Sequence, residues 1–375
     1  MDLRLNEDQE LIKSTARDFL KSECPMDLIR SLDENPKGYS EELWHKMAEL
    51  GLMGVAFPEE HGGTGQGFLE LCILIEEQGR SCLPSPFFST VVLCGLPIAR
   101  FGNDAQKEKY LSTIVSGQRI LAYAETEAGG SWDPSHIKLT AIACGDGYML
   151  DGTKLFVPYA HVADDFLIAT RTSGSGDDGI TLFLVDAKSP GITCKPLQTV
   201  AGEFQHEINF RRVTVPKDRV LGQRDTGGKI LRTIHEWGAA AKCAEMVGGA
   251  QRVLEMSVAY AHDRVQFGRP IGTFQAIQHH CANMAVDVDG SRFIAYEAIW
   301  RLSEDLDATT EVAMAKAWVS DAYQRVCALG HQIHGAIGFT KEHAMQVYFR
   351  HAKASELAFG DGDYHREKVA RKLGL

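Results

Sequence analysis

Residues 263–278 read DRVQFGRPIGTFQAIQ and join two long runs in which apolar residues recur at helical spacing. The first helix is expected to end near Phe267 and Gly268, since Pro270 has no amide to give to a helix interior. Thr273 then offers a side-chain oxygen that can cap a new helix opening at Phe274. Taken alone, the stretch is a connector between two helices. That reading leaves the particular set of Arg264, Phe267, Gly268, Ile271 and Gln275 without a reason.

Helical period continues on both sides of the connector, over 229–262, 274–302, 309–329 and 342–358. Long amphipathic helices of this kind form a four-helix bundle, which gives a C-terminal domain at 229–375 and a natural surface for oligomerisation. Upstream the period changes to two. KLTAIACGDGYMLDGTKLFV (138–157) alternates apolar and polar residues around Gly-Asp-Gly and Asp-Gly turns, and DFLIATRT, ITLFLVDA and RRVTVP continue the pattern. These strands place a small β domain at 121–228. Residues 1–120 read as helical: Asn6, with Gln9 three residues on, can close a capping box ahead of Leu11, Ala16 and Leu20. A second helix starts after Ser40 and stops at Gly51, and helices at 68–80 and 104–117 follow. The expected fold class is mostly α with a central β domain.

The charge balance narrows the function. A formal net charge of -11 argues against nucleic-acid binding, which needs clustered Lys and Arg. The opening MDLRLNEDQE has neither the basic start nor the apolar run of a secretory signal, and no stretch has the length of a membrane span. Nine scattered cysteines with no CxxC pair point to reduced thiols, a cytoplasmic location and no structural zinc. GGTGQG at 62–67 lacks the GxGxxG spacing and reads as a tight loop, and there is no GxxxxGK[ST], HExxH or GxSxG. His279 and His280 are adjacent and would diverge by about 100° on a helix, so no metal site is expected there.

DRVQFGRPIGTFQAIQ resembles the acyl-CoA dehydrogenase family. The resemblance extends along nearly the whole chain, through LNEDQELIKSTARDFL, GLMGVAFPEEHGGTG, AETEAGGS, DGTKLFV and HQIHGAIGF in order. It implies an N-terminal helical domain, a β-barrel-like middle domain and a C-terminal four-helix domain, with FAD lying between the last two. Arg264, Phe267, Gln275, Gln332 and Gly335 fall on matching cofactor positions. Thr126 and Ser131 resemble residues near the flavin ring, and Phe156 stands where a tryptophan is frequent, although AETEAGGS is one residue shorter than the common pattern. The implied reaction takes a proton from the carbon next to a CoA thioester and passes hydride from the next carbon to the flavin. Electrons then leave through electron-transfer flavoprotein. The implied assembly is a homotetramer or a heterotetramer with a related subunit.

Two departures bear on the base. Where the family usually has a glutamate before a glycine, ELAFGDGDYHR (356–366) has Phe359, and at the alternative base position on the first C-terminal helix the residue is Gly238. Pro158 replaces a frequent Thr or Ser and has no amide for the flavin. Glu245 lies seven residues beyond Gly238 on the same helix face, in an apolar setting expected to raise its pKa. It stands as the first candidate base, its bland reading being a pair with a buried cation. Asp361 is the second, with turn capping as its bland reading. Tyr364, His365 and Arg366 read as helix-start or interface residues. The functional expectation is FAD-dependent α,β-dehydrogenation of an acyl-CoA, of bulky or cyclic type, with a non-standard base. A base-deficient subunit of a heteromeric dehydrogenase and a non-dehydrogenase flavin relative remain open.

Overall fold

A computed structural model describes residues 4–375. Along the chain run α1 (Glu7–Glu23), α2 (Met26–Leu32), α3 (Glu41–Glu49), α4 (Phe68–Ser81), α5 (Leu96–Phe101), α6 (Asp104–Val115) and strands β1 (Leu121–Ala124), β2 (Thr140–Cys144), β3 (Gly147–Pro158), β4 (Asp165–Arg171), β5 (Ile180–Asp186), β6 (Ile192–Leu197), β7 (Gln205–Pro216) and β8 (Val220–Leu221). Then come α7 (Gly227–Asp263), the short strands β9 (Val265–Gln266) and β10 (Arg269–Pro270), α8 (Gln275–Ser303), α9 (Thr309–His334), α10 (Met345–Leu357) and α11 (Gly362–Lys372). The mostly helical fold with a central β domain agrees with the expected class.

The chain divides into two compact units. One holds the sheet and comprises residues 31–66 and 84–238; the other is helical and, among the described residues, comprises 4–30, 67–83 and 239–375.

In the first unit the strand order is β6-β7-β3-β2-β4-β5-β8, with β1 added parallel to β4. Period-two patterning turns Leu150, Val157, Phe166, Ile168, Phe183, Ile208, Phe210 and Val213 into one buried core. The expected hairpin about Gly145 and Asp146 pairs β2 with β3. The apolar run 88–95, which shows no usable period, forms a π-helical segment with Val91, Val92 and Cys94 fully buried.

In the helical unit α8, α10 and α11 pack on α9 and α4 packs on α1 and α8. Asn6 caps α1 in the expected box, its Oδ1 accepting from the Gln9 amide at 2.8 Å while Gln9 Oε1 accepts from the Asn6 amide at 3.0 Å. Two glycines set the approach of α4 to α7. A Cβ on Gly79 would sit 2.0 Å from the Glu245 carbonyl oxygen, and one on Gly248 would sit 1.8 Å from that of Glu76. Neither oxygen can move without parting the helices. Alanine at either position is therefore expected to destabilise by about 3 kcal/mol, against the gain of about 1 kcal/mol from its helix propensity. Urea midpoints for Gly79→Ala and Gly248→Ala equal to the parent's would refute this account of the helix crossing.

The connector differs from the expectation. α7 stops at Asp263, and 265–270 forms a hairpin in which Phe267 and Gly268, at φ 52° and 79°, make the turn. Paired positive φ values are what a two-residue hairpin needs to match strand twist. Thr273 does not cap the next helix; its hydroxyl donates to the Pro270 carbonyl at 2.7 Å, and Phe274 occupies the N-cap position of α8 without a side-chain cap. All nine cysteines are free thiols: Cys24, Cys72, Cys82, Cys94, Cys243 and Cys327 are buried, Cys281 is half-buried, and Cys144 and Cys194 are exposed on β2 and β6. No helix among the described residues is long and apolar enough to cross a membrane.

Candidate active site

The residues expected to face a cofactor from the helical unit are presented outward. Phe267 is 92% exposed at the hairpin tip, touching Phe274 edge-on with ring centroids 6.0 Å apart. A non-glycine residue in left-handed backbone costs about 1 kcal/mol, so the turn holds this ring in place against a local preference. Arg264, just beyond the end of α7, Gln275 at the first position of α8, and Gln332 near the end of α9 are all exposed, and none spends its side chain on a hydrogen bond among the described residues. Gly335 ends α9 at φ 65°, ψ −145°, and nothing lies within 4 Å of where its Cβ would be. A free guanidinium, two free amides and an open stretch of backbone are a donor set that suits a phosphate-bearing cofactor.

The β unit, taken by itself, holds the other residues expected at a cofactor. The Thr126 carbonyl accepts from the Leu155 amide at 2.8 Å, which ties the segment after β1 to β3 and leaves the Thr126 hydroxyl unspent among the described residues. Phe156 sits in the bulge of β3 between Lys154 and Val157, at φ 55° and half exposed. A bulge re-aims a side chain, and here it turns a phenyl ring out of the sheet. Ser131 Oγ accepts from the Asp133 amide at 3.1 Å. Pro158 closes β3 opposite Gln205.

Beside Thr126 lies a cluster that sequence reading did not single out. Glu125 is buried, and both of its oxygens are 2.7 Å from Nε2 of His235 on α7, while the Tyr123 hydroxyl donates to Oε2 at 2.9 Å. Burial alone would raise the Glu125 pKa; the opposing charge and bond of His235 and the Tyr123 bond outweigh it and lower the pKa below the usual carboxylate value. The fully buried Lys154 ammonium donates to the Glu125 carbonyl at 2.8 Å and to Glu127 Oε1 at 2.7 Å. Separated by 110 positions, Glu125 and His235 share no local pattern. The available signal was a carboxylate ending the apolar strand LAYA, where a charge needs a partner.

Both expected base candidates prove to be engaged. Glu245 Oε1 is 2.6 Å from His351 Nε2, and Oε2 accepts from Lys242 Nζ at 2.5 Å. The raised pKa expected from its apolar neighbours is not found. Burial pushes the pKa up, but the Lys242 charge and the His351 bond more than offset it and bring the pKa to about 2. Asp361 is the N-cap of α11 and accepts from the Tyr364 amide at 2.9 Å. Phe359 is nearly buried at φ 58°, its carbonyl accepting from His365 Nε2 at 2.8 Å. His365 is thus a buried anchor of this loop and not only the start of a helix.

Comparison with known proteins places this geometry. Family models for the N-terminal, middle and C-terminal domains of acyl-CoA dehydrogenases match residues 6–118, 122–213 and 225–374. A subunit of the caffeyl-CoA reductase–Etf complex of Acetobacterium woodii, CarC, is 32% identical over 374 residues, covering 98% of both chains. The structure of PigA with FAD and proline superposes with a TM-score of 0.94 at 29% identity over the full length of both chains. A chain of the ChsE4–ChsE5 complex from Mycobacterium tuberculosis gives 0.91 at 31% identity, covering all of this chain and 99% of that one. With all three domain models matched in order, the chain belongs to the acyl-CoA dehydrogenase family and is an oxidoreductase of that type.

Proposed function

We propose that the chain is an FAD-dependent dehydrogenase that acts on the two carbons next to a CoA thioester carbonyl. The observation that carries the reading is the set of unspent donors that the helical unit presents at Arg264, Gln275 and Gln332. FAD supplies the hydride acceptor when bound. Toward it, within the helical unit, Arg264 offers a charge-assisted pair for the pyrophosphate, the glutamines offer amide donors, Gly335 admits close backbone approach, and Phe267 offers apolar surface. The related caffeyl-CoA reductase supports a bulky, aryl or cyclic acyl group, and its complex with Etf supports electron-transfer flavoprotein as the acceptor. Glu245 and Asp361 are given structural parts: each carboxylate is taken up by partners in its own unit.

The purified chain is expected to be yellow, with near-stoichiometric FAD, and to bleach anaerobically on addition of a saturated acyl-CoA. Arg264→Ala is expected to weaken FAD retention at least tenfold, read as flavin lost on gel filtration, since one charge-assisted contact is worth about 1.5–3 kcal/mol. A colourless protein, or a flavin unmoved by any saturated ester, would defeat the reading.

A second reading is favoured by Phe359 at the family's usual base position: the chain is the base-deficient partner of a related subunit, as a heteromeric complex of the same fold suggests. Phe359→Glu would then create flavin bleaching that the parent lacks.

A further inference from the structure

The pair formed by Glu125 and His235 has the construction of a proton-transfer device. A buried carboxylate grips one imidazole nitrogen with both oxygens at 2.7 Å, and a tyrosine hydroxyl at 2.9 Å fixes the carboxylate from the other side. Lys154 and the Leu155 amide pin the backbone at Glu125 and Thr126, so the carboxylate cannot follow a moving ring. The second ring nitrogen, Nδ1, has no hydrogen-bond partner among the described residues, and the His235 side chain keeps 14% of its surface. Trp132 packs edge-on against the ring at 5.8 Å and walls off one side. An imidazole held through one nitrogen and open at the other is oriented as a general base, because the carboxylate sets the tautomer and stabilises the imidazolium that forms.

The bland alternative is a buried tie between the end of β1 and the start of α7. It explains the ion pair but asks nothing of Nδ1. It also gives no reason for placing the tie immediately before Thr126 and one helical turn before Gly238.

We propose that His235 is the proton acceptor for the carbon next to the thioester and that Glu125 is its positioning residue. The proposal rests on the dehydrogenase reading above. In the step, the C–H bond breaks, the proton passes to Nδ1, and the electron pair stays on the substrate as the enolate of the thioester. The imidazolium so formed is paired with Glu125. Charge and atoms balance without an oxidant, so the step is measurable apart from turnover.

The test is α-proton exchange. The flavin-containing chain is incubated in D2O with saturating butyryl-, 3-phenylpropionyl- or cyclohexanecarboxyl-CoA under anaerobic conditions, and deuterium in the recovered ester is read by mass spectrometry. Wild type is expected to exchange with at least one ester. His235→Gln should slow that exchange roughly 10²–10⁴-fold while the flavin spectrum is retained. Should His235→Gln fail to fold, Glu125→Gln, equal in size and still able to hold the ring, carries the test, with an expected loss of tenfold or more. A purely structural tie would lower melting temperature and leave exchange at saturating ester within about threefold, which would overturn the proposal. So would a wild-type chain that shows no exchange. Retained bleaching and exchange in both variants would sink the pair alone and leave the dehydrogenase reading standing, whereas a wild type without flavin would sink both.

Discussion

Replacing Lys316 with methionine is expected to lower the stability of the helical unit by about 5 kcal/mol, or to abolish soluble expression. Lys316 lies inside α9 with no exposed surface, and its ammonium spends three donors on three acceptors: Ser320 Oγ at 3.0 Å, the Glu356 carbonyl at 2.8 Å and the Gly360 carbonyl at 2.9 Å. Two of these acceptors bracket the loop that carries Phe359. Methionine fills the volume but donates nothing, which leaves two buried carbonyls unpaired at about 1–3 kcal/mol each, besides the lost charge-assisted bonds. Burial is also why the lysine pKa falls to about 8. Arginine should not rescue, because its planar fork cannot fill a three-cornered ammonium site. A urea midpoint for Lys316→Met within 0.5 kcal/mol of the parent would refute the assignment.

Acid is expected to unfold the same unit in two stages. His365 is 2% exposed and burial holds its pKa near 3, against 6.5 for the free side chain. Between those values the unfolded chain binds a proton that the folded chain refuses, so stability falls as pH drops from 6.5 toward 3. At about 1.4 kcal/mol per unit the loss is on the order of 5 kcal/mol. Glu245 adds a second stage. Its folded pKa of about 2 lies below the unfolded 4.5, so the stability of its pairs with Lys242 and His351 is whole above pH 4.5 and is lost as pH falls through 2, at about 3 kcal/mol in total. Urea titrations at pH 7, 5, 4, 3 and 2 check this. His365→Gln should flatten the upper stage and Glu245→Gln the lower, and variants with the parent's pH slope would show that other groups carry the acid response.

Local chemistry was readable wherever neighbours in sequence settle the outcome. The Asn6–Gln9 box and the period-two strands needed nothing from elsewhere in the chain. The connector was half read: a break between two helices is there as expected, but α7 already ends at Asp263 and Pro270 closes a hairpin instead of a helix, with Phe267 taken into left-handed backbone. Glu245 shows the limit. Its sequence neighbours are apolar, yet its ionisation is settled by Lys242 one turn away and by His351 more than a hundred residues on. Glu125 and His235 lie equally far apart, so the pair is a property of the fold. Lys316 has Ser320 one turn away on α9, but its other two acceptors, the Glu356 and Gly360 carbonyls, exist only once α10 and its following loop are in place.

The distribution of thiols gives the molecule built-in addresses. Cys144 and Cys194 sit on strand surfaces while six others stay concealed in the interior. A maleimide dye added to the native protein should therefore report first from the sheet and more slowly from the half-buried Cys281 of α8, and a Cys281→Ser variant confines a spectroscopic label to the sheet. The concealed six turn into a gauge: the number of reacted thiols per chain, counted by mass, tracks how far the interior has opened, in a currency that needs neither cofactor nor substrate.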